Sequence, residues 1–347
     1  MNRAHQKILD AIIRKAERVC PDSLALIGLY GSCATGDTYA RSDLDLLILT
    51  QDEKGMALAD GFILEDTGIG YDMYCTTWAA LEADAECGHA HLSKLMDAPL
   101  LYVKDPAAVE RLEALREKAR TILASDARFA KAEEHLGEAK KWFAECFLAD
   151  TLSGVRTFAG AVISELLDAL MLFNGRYFHK GVKRTFEELA ALALPFDAET
   201  LIMAVIRAGS AEEIRCALTV LVKTVQTCLT RPAEKEEPCR DNLAGTYEEM
   251  VSNWRGKVQT AGENGDLFSS FMNMVSCQGM LDAIAGSVRI QKADLMAGFD
   301  PCDTGKNAAA FDAMLCQYCE EYRRAGICPK QYADADAFAA AYLGETE

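Results

Sequence analysis

The sequence predicts an α+β fold: a small mixed β-sheet head followed by a mostly α-helical bundle region. Three observations predict it. Over the first 105 of the 347 residues, short apolar runs alternate with segments of helical periodicity, the pattern of one small mixed sheet with helices on a face. Past Asp105 the chain becomes Ala-, Leu- and Glu-rich and keeps a helical period in segment after segment. Arg231–Pro238, polar and carrying two prolines, reads as a linker within that helical stretch. The expected organisation is a head at 1–105, a helical bundle at 106–232 and a further helical region at 239–347 that packs on or extends the bundle.

In chain order, Ile8, Ile12, Ala16 and Val19 mark one stripe of a helix over 3–19, closed by Pro21. Leu24–Tyr30 is an apolar run stopped by Gly31 and reads as a buried strand. Cys33–Tyr39 suits a short helix or a loop, and Asp43–Thr50 a second strand. Gly61–Asp66, the turn Thr67-Gly68-Ile69-Gly70 and Tyr71–Cys75 read as a hairpin or two successive strands. Trp78–Glu86 looks helical, and Pro99–Val103 is the last strand before Asp105-Pro106. Helices are expected over 109–123, 129–148 and 155–173, the last broken at Asn174-Gly175. Others follow at about 185–194, 198–208, 211–230, 245–262, 267–290, 308–325 and 334–343.

A formal net charge of −17 argues against nucleic-acid partners, which need a field of Lys and Arg, and suits a cationic small substrate. No apolar run approaches the roughly 20 residues of a membrane span, so no membrane partner is expected. The first residues carry no apolar stretch of a signal peptide. Thirteen scattered cysteines suit free, mostly buried thiols in a reducing cytoplasm.

The chemistry gathers between Leu26 and Leu49. Gly31 lets a backbone approach a ligand closely, and Ser32 offers a hydroxyl and an N–H to a phosphate oxygen. In a strand, Asp43 and Asp45 share one face while Leu44 and Leu46 point into the core. Two carboxylates held side by side repel each other and lower that repulsion by sharing divalent cations. Hard oxygen ligands of this kind suit Mg²⁺, which brings substrate phosphates with it. Taken singly, a Gly-Ser pair is also a plain turn and Asp-x-Asp a solvated strand end. The stretch resembles the signature of the DNA polymerase beta-like nucleotidyltransferase superfamily: Gly-Ser, a spacer of about ten residues, then Asp-x-Asp.

The resemblance implies nucleotidyl transfer with two Mg²⁺ ions held by Asp43, Asp45 and a third acid from a later strand. Asp72 is the best match, as metal ligand or as the base that takes the hydroxyl proton, with Glu65 and Asp66 as rivals. Gly31 and Ser32 are implied to cradle the nucleotide. The helical part resembles, more loosely, the bundle of small-molecule nucleotidyltransferases such as the aminoglycoside-modifying enzymes, through the basic, aromatic loop Leu172–Arg184. Lys183 is then the favoured phosphate contact, Lys180 and Arg184 its competitors, and Asn174 and Tyr177 candidates to orient it or to stack on a base. Without the resemblance, Asn174-Gly175 is a helix C-cap and the cations favour a helix dipole. Glu138 with Lys141 approximates the bundle Glu and Lys of some antibiotic nucleotidyltransferases, and Glu165 with Asp168 is a second face-sharing pair. Each pair also reads as a solvated charged face.

Cys316 and Cys319, with Cys302 and Cys328 nearby, raise zinc, but Phe311, Leu315, Tyr318 and Tyr322 make a helical apolar face beside Cys319. His89 and His91 read as surface or capping residues. The function expected is Mg²⁺-dependent transfer of a nucleoside monophosphate from a nucleoside triphosphate, ATP being the expected one, to a hydroxyl of a small molecule such as an aminoglycoside-like antibiotic. Alternatives are a protein or nucleic-acid acceptor, or a non-catalytic nucleotide-binding regulator. A monomer and a homodimer both fit.

Overall fold

A computed structural model describes residues 2–231 and 234–344. Pro232 and Ala233 of the linker-like stretch, and the ends of the expected outer regions, Met1 and 345–347, lie outside the described residues.

The head opens with α1 (Arg3–Val19), capped by Asn2, whose side chain accepts the His5 N–H at 2.8 Å. Its stripe of Leu9, Ile12 and Ala16 is buried. Then come β1 (Leu24–Leu29), the short α2 (Gly31–Thr35), β2 (Leu46–Thr50) and a 3₁₀ turn over Glu53–Leu58. β3 (Asp60–Leu64) and β4 (Ile69–Met73) form a separate two-stranded antiparallel hairpin with Gly61 opposite Asp72. β5 (Cys75–Thr77), α3 (Trp78–Asp84), α4 (Ser93–Met96) and β6 (Leu100–Val103) complete the head.

The main sheet has strand order β5-β2-β1-β6. β1 is antiparallel to β2 and β6, and β5 runs parallel to β2. Alternation divides the core: Ile27, Leu29, Leu46 and Ile48 face α1 and Tyr71, while Leu26, Leu47 and Leu49 face the helices that follow. The expected strand over Asp43–Thr50 forms only from Leu46, because Asp43 and Asp45 lie just outside the ladder. The Tyr30 N–H still donates to the Asp45 carbonyl at 3.0 Å, so the extended path continues to that point.

Helices then dominate: α5 (Pro106–Ala124), α6 (Ala127–Leu148), α7 (Leu152–Phe173), α8 (Thr185–Ala190), α9 (Ala198–Arg207) and α10 (Ala211–Leu229). Asp105 caps α5 and Pro106 supplies its first turn, so the helix starts before the expected Val109. One contiguous core joins Leu26 and Leu47 of the sheet to Leu112, Leu136, Val162, Leu166 and Val225 of these helices. Head and bundle thus share buried surface within one compact unit that ends at Thr230.

A second compact unit starts at Arg231 and has its own core around Met250, Leu281, Phe311, Leu315 and Tyr322. It contains α11 (Arg240–Leu243), α12 (Thr246–Met250), a π-helical turn over Val251–Arg255, α13 (Gly256–Asn264), α14 (Leu267–Ser287), α15 (Thr304–Arg324) and α16 (Ala335–Leu343). Cys319 is buried on α15 beside Tyr318 and Tyr322, while Cys316, Cys302 and Cys328 are exposed. Among the described residues, no helix is long and apolar enough to cross a membrane.

Candidate active site

Strand directions bring four chain segments to one end of the sheet: the exit of β1 and the entrances of β2, β5 and β6. Tyr30, Gly31 and Ser32 follow β1; Asp43 and Asp45 precede β2; Tyr74 precedes β5; Asp97 to Pro99 precede β6. The Leu29 N–H donates to the Pro99 carbonyl at 2.9 Å, locking the β6 entrance against the β1 exit.

Gly31 has φ of 65°, a left-handed value, and a Cβ there would lie 1.9 Å from Asp45 Oδ2 and 2.6 Å from its carboxyl carbon. The carboxylate therefore fills the space that any other residue's side chain would need, and glycine is required twice over. Asp43 and Asp45 are both half-buried. Burial, followed by the neighbouring Asp43 charge, pushes the Asp45 carboxyl up to about 6, and the Ser32 backbone N–H opposes the shift. Asp43 is fixed by its backbone, whose carbonyl accepts from the Cys33 thiol at 3.3 Å.

Two phenols complete this corner. The Tyr30 and Tyr74 hydroxyls hydrogen-bond at 2.8 Å, and Lys94 Nζ lies 5.8 Å from the Tyr74 ring centroid. Burial, then the bond to Tyr74 and the Asp45 and Asp43 charges, raise the Tyr30 phenol's pKa, so it stays protonated as a donor.

Asp72 does not join the pair. Among the described residues, no three His, Cys, Asp or Glu side chains stand close enough to hold one ion. The reason is strand alternation within the separate hairpin. Tyr71, 5% exposed, turns inward to stack on Phe62 at 5.2 Å, which leaves Asp72 on the exposed face. Glu65 and Asp66 sit in the exposed hairpin turn. The residue from this segment that reaches the corner is Tyr74, at the break between β4 and β5, a position whose only sequence signal was its parity with Asp72.

The loop after α7 crosses the same end of the sheet. Asn174 and Gly175 cap α7: the Asn174 side chain donates to the Leu170 carbonyl at 2.8 Å, and Gly175 takes φ of 65°. Tyr177 donates to Asp97 Oδ1 at 2.7 Å, and His179 Nδ1 lies 2.9 Å from Asp97 Oδ2. That carboxylate raises the pKa of His179 against burial. Tyr177 is thus committed to Asp97 and to the His179 ring, 4.2 Å away between centroids. Lys183 donates to the Asp37 carbonyl and Arg184 Nη2 to Asp37 Oδ1 at 2.7 Å, so both reach the segment joining Ser32 to Asp43.

The other acids have structural partners. Glu138 pairs with Lys141 on the exposed face of α6. Glu165 Oε2 lies 2.6 Å from His135 Nδ1, whose other nitrogen faces the Gly88 carbonyl at 3.0 Å. Asp168 is 7% exposed and accepts the Ala90 N–H at 2.8 Å. His89 bridges to Asp84 at 3.3 Å and His91 stacks on Phe178. Sequence separations of 30, 47 and 78 residues hid the partners of Glu165, His135 and Asp168.

No protein-family model and no curated protein matches this chain. Among solved structures, the chain is similar to a nucleotidyltransferase-like protein from Exiguobacterium sibiricum 255-15, at 13% identity and a TM-score of 0.35, over 70% of this chain and 80% of that one.

Proposed function

We propose that the chain is a Mg²⁺-dependent nucleotidyltransferase that moves a nucleoside monophosphate from a nucleoside triphosphate, ATP first among the candidates, to a hydroxyl of a small molecule. The observation that carries this reading is the Asp43–Asp45 pair set against Gly31. Burial and the neighbouring Asp43 charge raise the cost of ionising Asp45, and a turn with no side chain makes the room that this carboxylate occupies. Such a pair is expensive to keep unless a cation neutralises it.

The donor set fits Mg²⁺. That ion takes one or two carboxylates and fills its remaining positions with water and phosphate oxygens, so two aspartates without a third acid suffice. Asp43 and Asp45 would hold it, and when bound it supplies charge neutralisation for the phosphates and acidifies an attacking hydroxyl. The chain's own residues do the rest. Ser32 presents its hydroxyl to a phosphate oxygen, while its N–H faces the Asp45 carboxylate that Gly31 makes room for. Lys183 and Arg184 bring positive charge to the Gly31–Asp43 segment. Tyr30 and Tyr74 share one internal hydrogen bond, so one of their two protons is left for a substrate oxygen.

The test is release of pyrophosphate from labelled nucleoside triphosphates, with Mg²⁺ and a panel of hydroxyl acceptors that starts with aminoglycosides. Activity that needs Mg²⁺ and falls by about 10³-fold or more in Asp43→Asn and Asp45→Asn supports the reading. Tight Mg²⁺–nucleotide binding with no transfer to any acceptor overturns it.

A further inference from the structure

The loop 174–184 is held at the sheet end by two acids, and the second of them, Asp37, is placed where a ligand's anion would be expected. The Asp37 N–H donates to the Ser32 carbonyl at 3.1 Å, so Asp37 is part of the same turn that flanks the carboxylate pair. Its side chain is only 11% exposed. Oδ1 accepts from Arg184 Nη2 at 2.7 Å and from Nε at 3.2 Å, while Oδ2 is buried with no partner.

Around it lie three cations. Arg184 is shared with Glu187 at 3.0 Å, and Lys180 pairs with Glu187 at 2.8 Å. Lys183 has no carboxylate partner among the described residues; its ammonium meets the Asp37 carbonyl and lies 5.1 Å from the Tyr39 ring centroid. The three positive side chains face the Asp37 and Glu187 carboxylates, while Glu188 accepts the backbone N–H groups of His179 and Lys180, so loss of Asp37 removes the carboxylate that Arg184 grips most closely. A guanidinium that holds a carboxylate, beside an ammonium that holds only a backbone carbonyl, can bind a phosphate with the same kinds of donor. The clasp on Asp37 is also incomplete, because one buried oxygen gains no hydrogen bond from it.

We propose that Lys183 and Arg184 form a polyphosphate subsite and that Asp37 is its built-in competitor, a carboxylate that the triphosphate displaces on binding. The proposal rests on the nucleotidyl-transfer reading above and adds regulation of the same site. Asp37 keeps the cations in place when no nucleotide is bound and sets a threshold that weaker anions do not cross.

The experiment measures binding of inorganic tripolyphosphate to the full chain by calorimetry without Mg²⁺, for the parent protein, Asp37→Asn, Asp37→Ser and Arg184→Gln. Displacement predicts opposite signs: both Asp37 variants bind about 5- to 50-fold more tightly and Arg184→Gln binds more weakly by a similar factor. If Asp37–Arg184 only staples the loop, all the variants weaken binding together. That outcome overturns the proposal, as does an unchanged affinity or no binding by any variant. Thermal unfolding of each variant confirms a folded protein, and either Asp37 substitution alone suffices. Asp45→Asn separates the two readings. Loss of Mg²⁺-dependent nucleotide binding in Asp45→Asn with same-sign shifts at Asp37 and Arg184 removes only the competitor. Retained Mg²⁺-nucleotide binding in Asp45→Asn with opposite-sign shifts removes the metal reading and leaves the subsite.

Discussion

At the scale of single residues, the Gly31–Asp45 contact makes the sharpest predictions. Gly31→Ala must place a methyl group 1.9 Å from Asp45 Oδ2 at a left-handed backbone, so it should cost about 2–4 kcal/mol of stability and abolish transfer. Asp45→Asn should do the reverse to stability. The Asp45 carboxyl titrates near 6 in the folded chain, above its unfolded value of 3.8, so folding favours its neutral form. The stability this group contributes is present below the unfolded pKa and is lost as pH rises through the folded one. At pH 7 the charged carboxylate is a net cost, and its removal should raise stability by about 1–2 kcal/mol, after discounting for partial exposure. Calorimetric unfolding at pH 7 checks both variants. The same signs govern Mg²⁺. The ion competes with the Asp45 proton, so a Mg²⁺-induced rise in Tm should be present at pH 7.5 and largely gone at pH 5, where Asp45 binds its proton. The approach of Gly31 to Asp45 was legible in the sequence because it is local: both lie in the segment that joins β1 to β2.

At the scale of elements, the hairpin of β3 and β4 decides the fate of Asp72. Asp72→Asn should leave transfer within about three-fold of the parent, since an exposed carboxylate outside the pair contributes little; a loss comparable to that of Asp45→Asn would return Asp72 to the site. The alternation of Tyr71-Asp72-Met73-Tyr74 was readable, but its phase was not. Which face turns inward depends on Phe62, its partner across the hairpin, and on His5 of α1, which packs on Tyr71 from the far end of the head's sequence. The loop 174–184 shows the same limit. Its basic character marked it, whereas its partners Asp37 and Asp97 lie 147 and 82 residues away from Arg184 and His179, respectively. No local pattern encodes such pairings. Helix positions fared better because caps are local: Asp105, Thr151, Ser210 and Asp303 each bond the first turn they precede.

At the scale of the molecule, the α+β class was legible because strand patterns end before Asp105 and only helical periodicity continues past it. The continuity of the core was not, since sequence shows which residues are apolar but not what they meet. Leu26, Leu47 and Leu49 of the sheet are fully buried against the helices that follow. A chain cut at 105 would expose that face and should aggregate, whereas one cut at Thr230 should fold in a single cooperative transition. Solubility and urea unfolding of the two fragments distinguish these outcomes. The shared core also bears on how a substrate enters. With Ala108 and Leu112 of α5 packed in the same cluster as Leu26, the head and the bundle have no hinge between them, and they cannot open and close as two jaws. Rearrangement on substrate binding then falls to the segments at the sheet end, the loop 174–184 and the Ser32–Asp43 segment it grips. Small-angle scattering of the fragment ending at Thr230 should therefore give the same radius of gyration with and without nucleotide, and turnover should follow the rapid motion of a loop rather than the slower swing of a domain.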